Sequence, residues 1–130
     1  MEQNRPTEHG PTIEDTLMMD NYIVLITLIK VVDHDLRQIS ASDFKMGTIY
    51  EAFFEKLLNR ILKDIKELKT AMKKKGIVVR DRVNRDKEYV YWPYLCRGYS
   101  GNINRWIYAL KSQCNEKLRE YLDLKESDSE

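Results

Sequence analysis

Few side chains in this sequence stand where they could do chemistry. Asp33, His34 and Asp35 form an Asp-His-Asp run of metal-ligating types, and His9 is the only other histidine. Successive residues on a helix point about 100° apart, so three neighbours cannot converge on one ion. The run is expected to be a solvated polar face. Cys96 and Cys114, 18 positions apart, are the only cysteines. Both are expected to be buried structural thiols. Cys96, Tyr91 and Arg97 lie close together in sequence, and they are the one grouping an enzyme would have to use. No Gly-rich phosphate loop, G-x-S-x-G elbow, H-E-x-x-H or C-x-x-C is present. The expectation is a protein with no catalytic residues, no cofactor and no metal.

Charge is the stronger signal. The 130 residues carry a net charge of +1, but residues 73–111 hold 10 basic and 3 acidic side chains. Residues 1–40 hold 3 basic and 7 acidic ones. Lys73, Lys74, Lys75, Arg80, Arg82, Arg85 and Lys87 crowd into 15 positions, and Tyr89, Tyr91, Trp92, Tyr94 and Tyr99 follow. Cations beside aromatic rings suit a phosphate backbone with stacked bases. The same residues serve structure: lysines complement the negative end of a helix, and arginines on an edge strand discourage aggregation.

The run Ala71 to Tyr94, AMKKKGIVVRDRVNRDKEYVYWPY, resembles the helix-to-wing passage of winged-helix DNA-binding proteins. In that family a helix ends in a basic turn, and a two-stranded wing with a charged tip follows. The resemblance covers about a fifth of the chain. It implies DNA contacts from Lys73, Lys74, Lys75, Arg80, Arg82, Arg85 and Lys87.

Positioning these residues requires three helices. Thr12 and Asp15 have capping-box spacing and predict a helix start at Thr12. Ile23, Ile26, Ile29, Val32 and Leu36 continue it, with Val24, Leu25, Leu28 and Val31 widening the apolar stripe. Tyr22 to Val32 is the most apolar stretch, but 11 residues with Lys30 among them are too short to span a bilayer. Ser40 to Gly47 breaks the pattern. Thr48 and Glu51 form a second capping box, and Gly76 suits a C-terminal stop, so a helix is predicted from Thr48 to Lys75. Phe54, Leu58, Ile61, Ile65, Leu68 and Met72 recur along it at heptad spacing. Such a helix is roughly 42 Å long. Either the first helix folds back over this seam or another chain covers it.

After Gly76 the period changes. Ile77 to Val83 is β-branched and Glu88 to Cys96 aromatic, with a polar turn between, which predicts a β-hairpin over 77–96. Pro93 marks the second strand as an edge. Arg97 to Gly101 reads as a loop, and Ser100 or Asn102 as the cap of a third helix bearing Ile103, Ile107, Leu110, Cys114, Leu118 and Tyr121. Trp106, early in that helix, is expected in the core, whereas Trp92 on an edge strand is expected to be more open.

The fold class is therefore mainly α (α+β): a three-helix bundle-like domain with a long central helix and one hairpin inserted before the last helix. Residues 12–124 form the domain, between a disordered arm (1–11) and a frayed acidic tail (125–130). Met1 to Pro11 is polar and contains Glu2 and Glu8, so no secretory signal is expected there. Reduced thiols and a cytoplasmic location follow. The leading expectation is a protein-interaction or regulatory module working by helix–helix association, as a homodimer or with another protein. Phe54, Leu58, Ile61, Ile65, Tyr91 and Trp92 are its candidate interface. A winged-helix-like nucleic-acid regulator is the alternative.

Overall fold

A computed structural model describes residues 10–124 of the chain; His9, the rest of the expected arm before Gly10 and the expected tail over 125–130 lie outside them. Helix α1 spans Ile13–Ser40. Its capping box forms as its spacing predicts: the Thr12 hydroxyl accepts from the Asp15 amide at 3.0 Å, and the Asp15 carboxylate accepts from the Thr12 amide at 2.9 Å. Helix α2 spans Gly47–Lys74. It begins a residue before the predicted start, with Met46 as N-cap and no side-chain cap. The Thr48–Glu51 capping box does not form, because the Met46 carbonyl already accepts from Tyr50 and Thr48 lies inside the first turn. Gly76 ends the helix as expected, at φ +73. A Cβ there would sit 3.0 Å from Arg97 Cγ. Gly76→Ala is therefore expected to cost about 1–2 kcal/mol, from the left-handed backbone and the crowding together, read as a lowered thermal midpoint.

The three helices with a β insertion before the last are as the sequence predicts, but the insertion is larger than a hairpin. Strands β1 (Ile77–Val79) and β2 (Val83–Asn84) both pair with β3 (Tyr89–Cys96), and β4 (Tyr99–Trp106) pairs with its other side. Helix α3 then runs Ile107–Tyr121. Ser100 and Asn102 thus lie in a strand rather than capping a helix. The cause is the turn: Arg97 and Gly98 both have positive φ, 49 and 89, which makes a two-residue reversal matching strand twist. Cys96 pairs with Tyr99 directly across it. Gly101 is needed because Tyr94 crosses it, its hydroxyl 2.6 Å from where a Cβ would be.

Pro93 lies in the central strand, not at an edge. Its carbonyl accepts from the Arg80 amide at 2.8 Å, so its proton-less nitrogen faces the same neighbour. That neighbour is interrupted there. Arg80, Asp81 and Arg82 stand against only Trp92 and Pro93, a bulge separating β1 from β2. The missing donor therefore falls where no regular ladder runs.

Strand parity decides the two tryptophans, and it reverses their expected places. Trp92 is 2% exposed, facing inward with Val90 and Cys96, whereas Trp106 at the end of β4 is 47% exposed. The inner face of the sheet closes on Met19 and Ile23 of α1, Met72 of α2 and Leu110 of α3. A second cluster joins Val24, Leu25, Leu28 and Val32 of α1 to Leu57 and Ile61 of α2 and Cys114 of α3. Helix α1 contributes to both, which is why its apolar stripe is so wide. No described helix is long and apolar enough to cross a membrane.

Candidate functional site

The heptad seam is covered from within the chain. Ile61 is 0% exposed, and Phe54, Leu58 and Ile65 pack half-buried against the helical cluster. Of the predicted interface residues, Ile61 and Trp92 are enclosed, the other three seam residues face α1 and α3, and Tyr91 lies half-buried on the outer sheet face. The structure does not bring these six onto one accessible surface.

What α2 leaves open is its N-terminal turn. Met46, Ile49, Tyr50 and Phe53 recur at helical spacing and are each about half exposed, with Phe44 of the preceding loop beside them. Phe44 and Tyr50 meet edge to face at 6.2 Å, as do Phe53 and Phe54 at 5.9 Å. Such a row of large apolar side chains is uncommon on a free surface. Next to it lies a groove of about 520 Å³ whose lining includes Phe53, Leu57, Leu122 and Leu124, with Lys56 and Arg60 at its edge. The spacing of this stripe is visible in the sequence. Spacing alone does not show that this end of the helix, unlike the seam from Phe54 onward, is left uncovered by α1 and α3.

The basic residues divide. The first turns of α1 carry Glu14, Asp15 and Asp20, and each takes one cation: Glu14 pairs with Lys75 at 3.2 Å, Asp15 with Arg97 at 2.5 Å, and Asp20 with Arg105. The acidic N-terminal segment thereby neutralises three of the ten basic side chains of 73–111. Asp15 is 1% exposed, and Arg97 also donates to the Lys75 carbonyl at 2.7 Å. Burial alone would raise the pKa of the Asp15 carboxyl. The Arg97 guanidinium and the hydrogen bonds with Thr12 outweigh it and hold that pKa below its ordinary value. Of the predicted nucleic-acid contacts, Lys75 is thus occupied, while Lys73, Lys74, Arg80, Arg82, Arg85 and Lys87 are exposed. Arg85 lies over the Tyr91 ring at 5.9 Å and donates to Asn104 Oδ1 at 2.9 Å.

The remaining chemistry-bearing groups do not converge. Cys96 is 1% exposed, and burial pushes its thiol pKa up, away from the reactive thiolate. Cys114 is also buried, and both cysteines are free. His34 is exposed against Asp35 at 3.3 Å, and Asp33 turns to Arg37 at 2.8 Å. Among the described residues no three His, Cys, Asp or Glu are grouped to hold a metal ion. A cleft of about 500 Å³ between the helices, which the sequence did not indicate, gathers Arg60, Asp64, Lys117 and Tyr121. There the Tyr121 hydroxyl donates to Asp64 at 2.6 Å, and Arg60 donates to the Tyr121 carbonyl at 3.0 Å. Burial first, then the Asp64 carboxylate, raises the Tyr121 pKa far above that of a free phenol, so it is held as a structural donor.

Residues 10–126 match the family described as YhjD protein. A Bacillus subtilis (strain 168) relative, described as uncharacterized protein YhjD, is 23% identical over 114 residues, covering 86% of this chain and 94% of its own length. No solved structure matches the chain.

Proposed function

The chain belongs to the YhjD protein family, and we propose that it acts as a non-enzymatic, cytoplasmic protein-interaction module in which two copies associate helix to helix. The observation that carries this reading is the exposed row Met46, Ile49, Tyr50 and Phe53 on one face of α2. The contact thus lies at the N-terminal end of α2, not along the heptad seam.

The surroundings of the row favour a second copy as its occupant. A protruding aromatic row and an apolar groove lie side by side, so one two-fold axis can seat the row of each copy in the groove of the other. Charge fits the same arrangement. Glu51 and Glu55 lie beside the row in sequence, while Lys56 and Arg60, with Asp123, line the groove. An antiparallel pair would set acid against base. Supporting a non-catalytic role, the Cys96 thiol is shielded from any substrate.

Sedimentation over roughly 1–100 µM protein, the range in which weak dimers form, tests this. Wild type is expected to sediment increasingly as a dimer, and Phe53→Glu to remain monomeric with unchanged helicity, weakening association by about 30-fold or more. A wild-type monomer throughout, or a Phe53→Glu variant that dimerises normally, overturns the reading.

A further inference from the structure

The sheet has a second face, turned away from the helices. Parity along β3 turns Tyr89, Tyr91, Pro93 and Leu95 away from the buried Val90, Trp92 and Cys96. In β4 it turns Ser100, Asn102, Asn104 and Trp106 outward, opposite Ile103. The register then places Tyr89 beside Trp106 and Tyr91 beside Asn104. Trp106 and Tyr89 are 47% and 41% exposed, an unusual cost for rings that could have packed inside.

Cations flank these rings on both sides. On the β1–β2 side stand Arg80 and Arg85, the latter already over the Tyr91 ring at 5.9 Å. On the α3 side, Tyr108 meets Trp106 edge to face at 5.1 Å, and Lys111 lies 5.7 Å from the centre of the Tyr108 ring. Arg80, Arg85 and Lys111 form no ion pair with another described residue, unlike Lys75, Arg97 and Arg105. Two of the three nearby acids are turned elsewhere. Asp86 accepts from the amides of Glu88 and Tyr89 within the turn, and Asp81 lines a cleft against Lys30 on α1.

We propose that this outer sheet face binds single-stranded nucleic acid, with unpaired bases stacking on Trp106, Tyr89 and Tyr91 and phosphates held by Arg80, Arg85 and Lys111. A sheet face with exposed rings offers stacking planes to splayed bases. Side-chain amides of Asn102 and Asn104 lie within the same surface to meet base edges. The site is separate from the α2 row, so it stands whether or not the protein dimerises.

Trp106 makes the test direct, because the other tryptophan is buried and base stacking should quench the exposed one. The full chain is titrated with labelled dT and rU 15-mers (about the site size of one binding sheet), with their duplexes, and with polyglutamate. Saturable binding to the single strands with quenching is expected. Three phosphate contacts give a salt slope of about −2, so affinity should fall roughly 20-fold between 50 and 200 mM salt. The dT and rU arms decide between DNA and RNA. Trp106→Ala should weaken binding at least about tenfold, Trp106→Phe much less, and Arg85→Glu should flatten the salt slope. Both positions lie at the surface, and a thermal melt of each variant confirms that it is folded. The Phe53→Glu variant should bind as wild type does. Absence of single-strand binding at 50 mM salt overturns the proposal. So does equal or tighter binding to duplex, wild-type affinity in Trp106→Ala, or polyglutamate competing as well as the oligonucleotides, which would point to an acidic protein instead.

Discussion

Replacing Trp92 with alanine is expected to lower the free energy of unfolding by about 4 kcal/mol. Trp92 is 2% exposed and belongs to the cluster where the sheet meets all three helices, with Met19 and Ile23, Met72, and Leu110. Truncating it removes apolar burial and leaves a void that a central strand, held on both sides, cannot collapse to fill. The thermal midpoint should drop by roughly 15 °C, and Trp92→Phe should recover more than half of the loss. Trp106→Ala provides the contrast. With 47% of its surface already in water, it should shift the midpoint by only a few degrees at most, about 1 kcal/mol. Equal losses from the two tryptophans would contradict the strand parity that separates them.

Asp15→Ala should follow, at about 3 kcal/mol near neutral pH. The carboxylate closes the α1 capping box and binds the Arg97 guanidinium at 2.5 Å, so alanine leaves an uncapped amide and an arginine without its partner. Arg97 is itself a non-glycine residue at φ 49, a conformation its ties to Asp15 and to the Lys75 carbonyl help to hold. The sign of the pH dependence is fixed by the depressed pKa of Asp15. This contribution is complete above the unfolded carboxylate value of about 3.9 and is lost as pH falls through the lower folded value. Urea unfolding should therefore show the wild type and the alanine variant differing most at pH 7 and approaching each other in strong acid. Asp15→Asn keeps an acceptor for the Thr12 amide but no charge, and should fall between them. A gap that stays constant down to low pH would mean that the ion pair contributes nothing.

Local signals were legible and distant ones were not. Thr12 and Asp15 announce a helix start three residues apart, and the structure forms that box; the partner of Asp15 lies 82 residues away and leaves no local trace. The heptad seam was readable from Phe54 to Met72, but spacing alone does not say which chain covers it, and α1 does. Tyr99 to Trp106 was misread because Ile103, Ile107 and Leu110 fit a helix as well as they fit a strand followed by a helix. The discriminating pattern was Gly101, Ile103 and Arg105 alternating with Ser100, Asn102 and Asn104, which is the period of a half-buried strand. Pro93 misled for a related reason. A missing amide proton argues for an edge only where the neighbouring strand is regular, and the bulge at Arg80 to Arg82 removes that condition. Of the candidate sites, the cations were legible as a run, but which of them are paired among the described residues depends on α1.

The three ion pairs that fasten α1 also set an order of events when the chain is synthesised. Arg97 and Arg105 follow their carboxylate partners by 82 and 85 residues. At ribosomal rates of about 5–20 residues per second, Asp15 and Asp20 are made roughly 4 to 17 seconds before the arginines that pair with them. Its Val24, Leu28 and Val32 face is uncovered until Leu57 and Ile61 arrive. The earliest-made helix is thus fastened among the last, and any nascent chain halted before Arg97 carries Asp15 and Asp20 in its first turns without their partners.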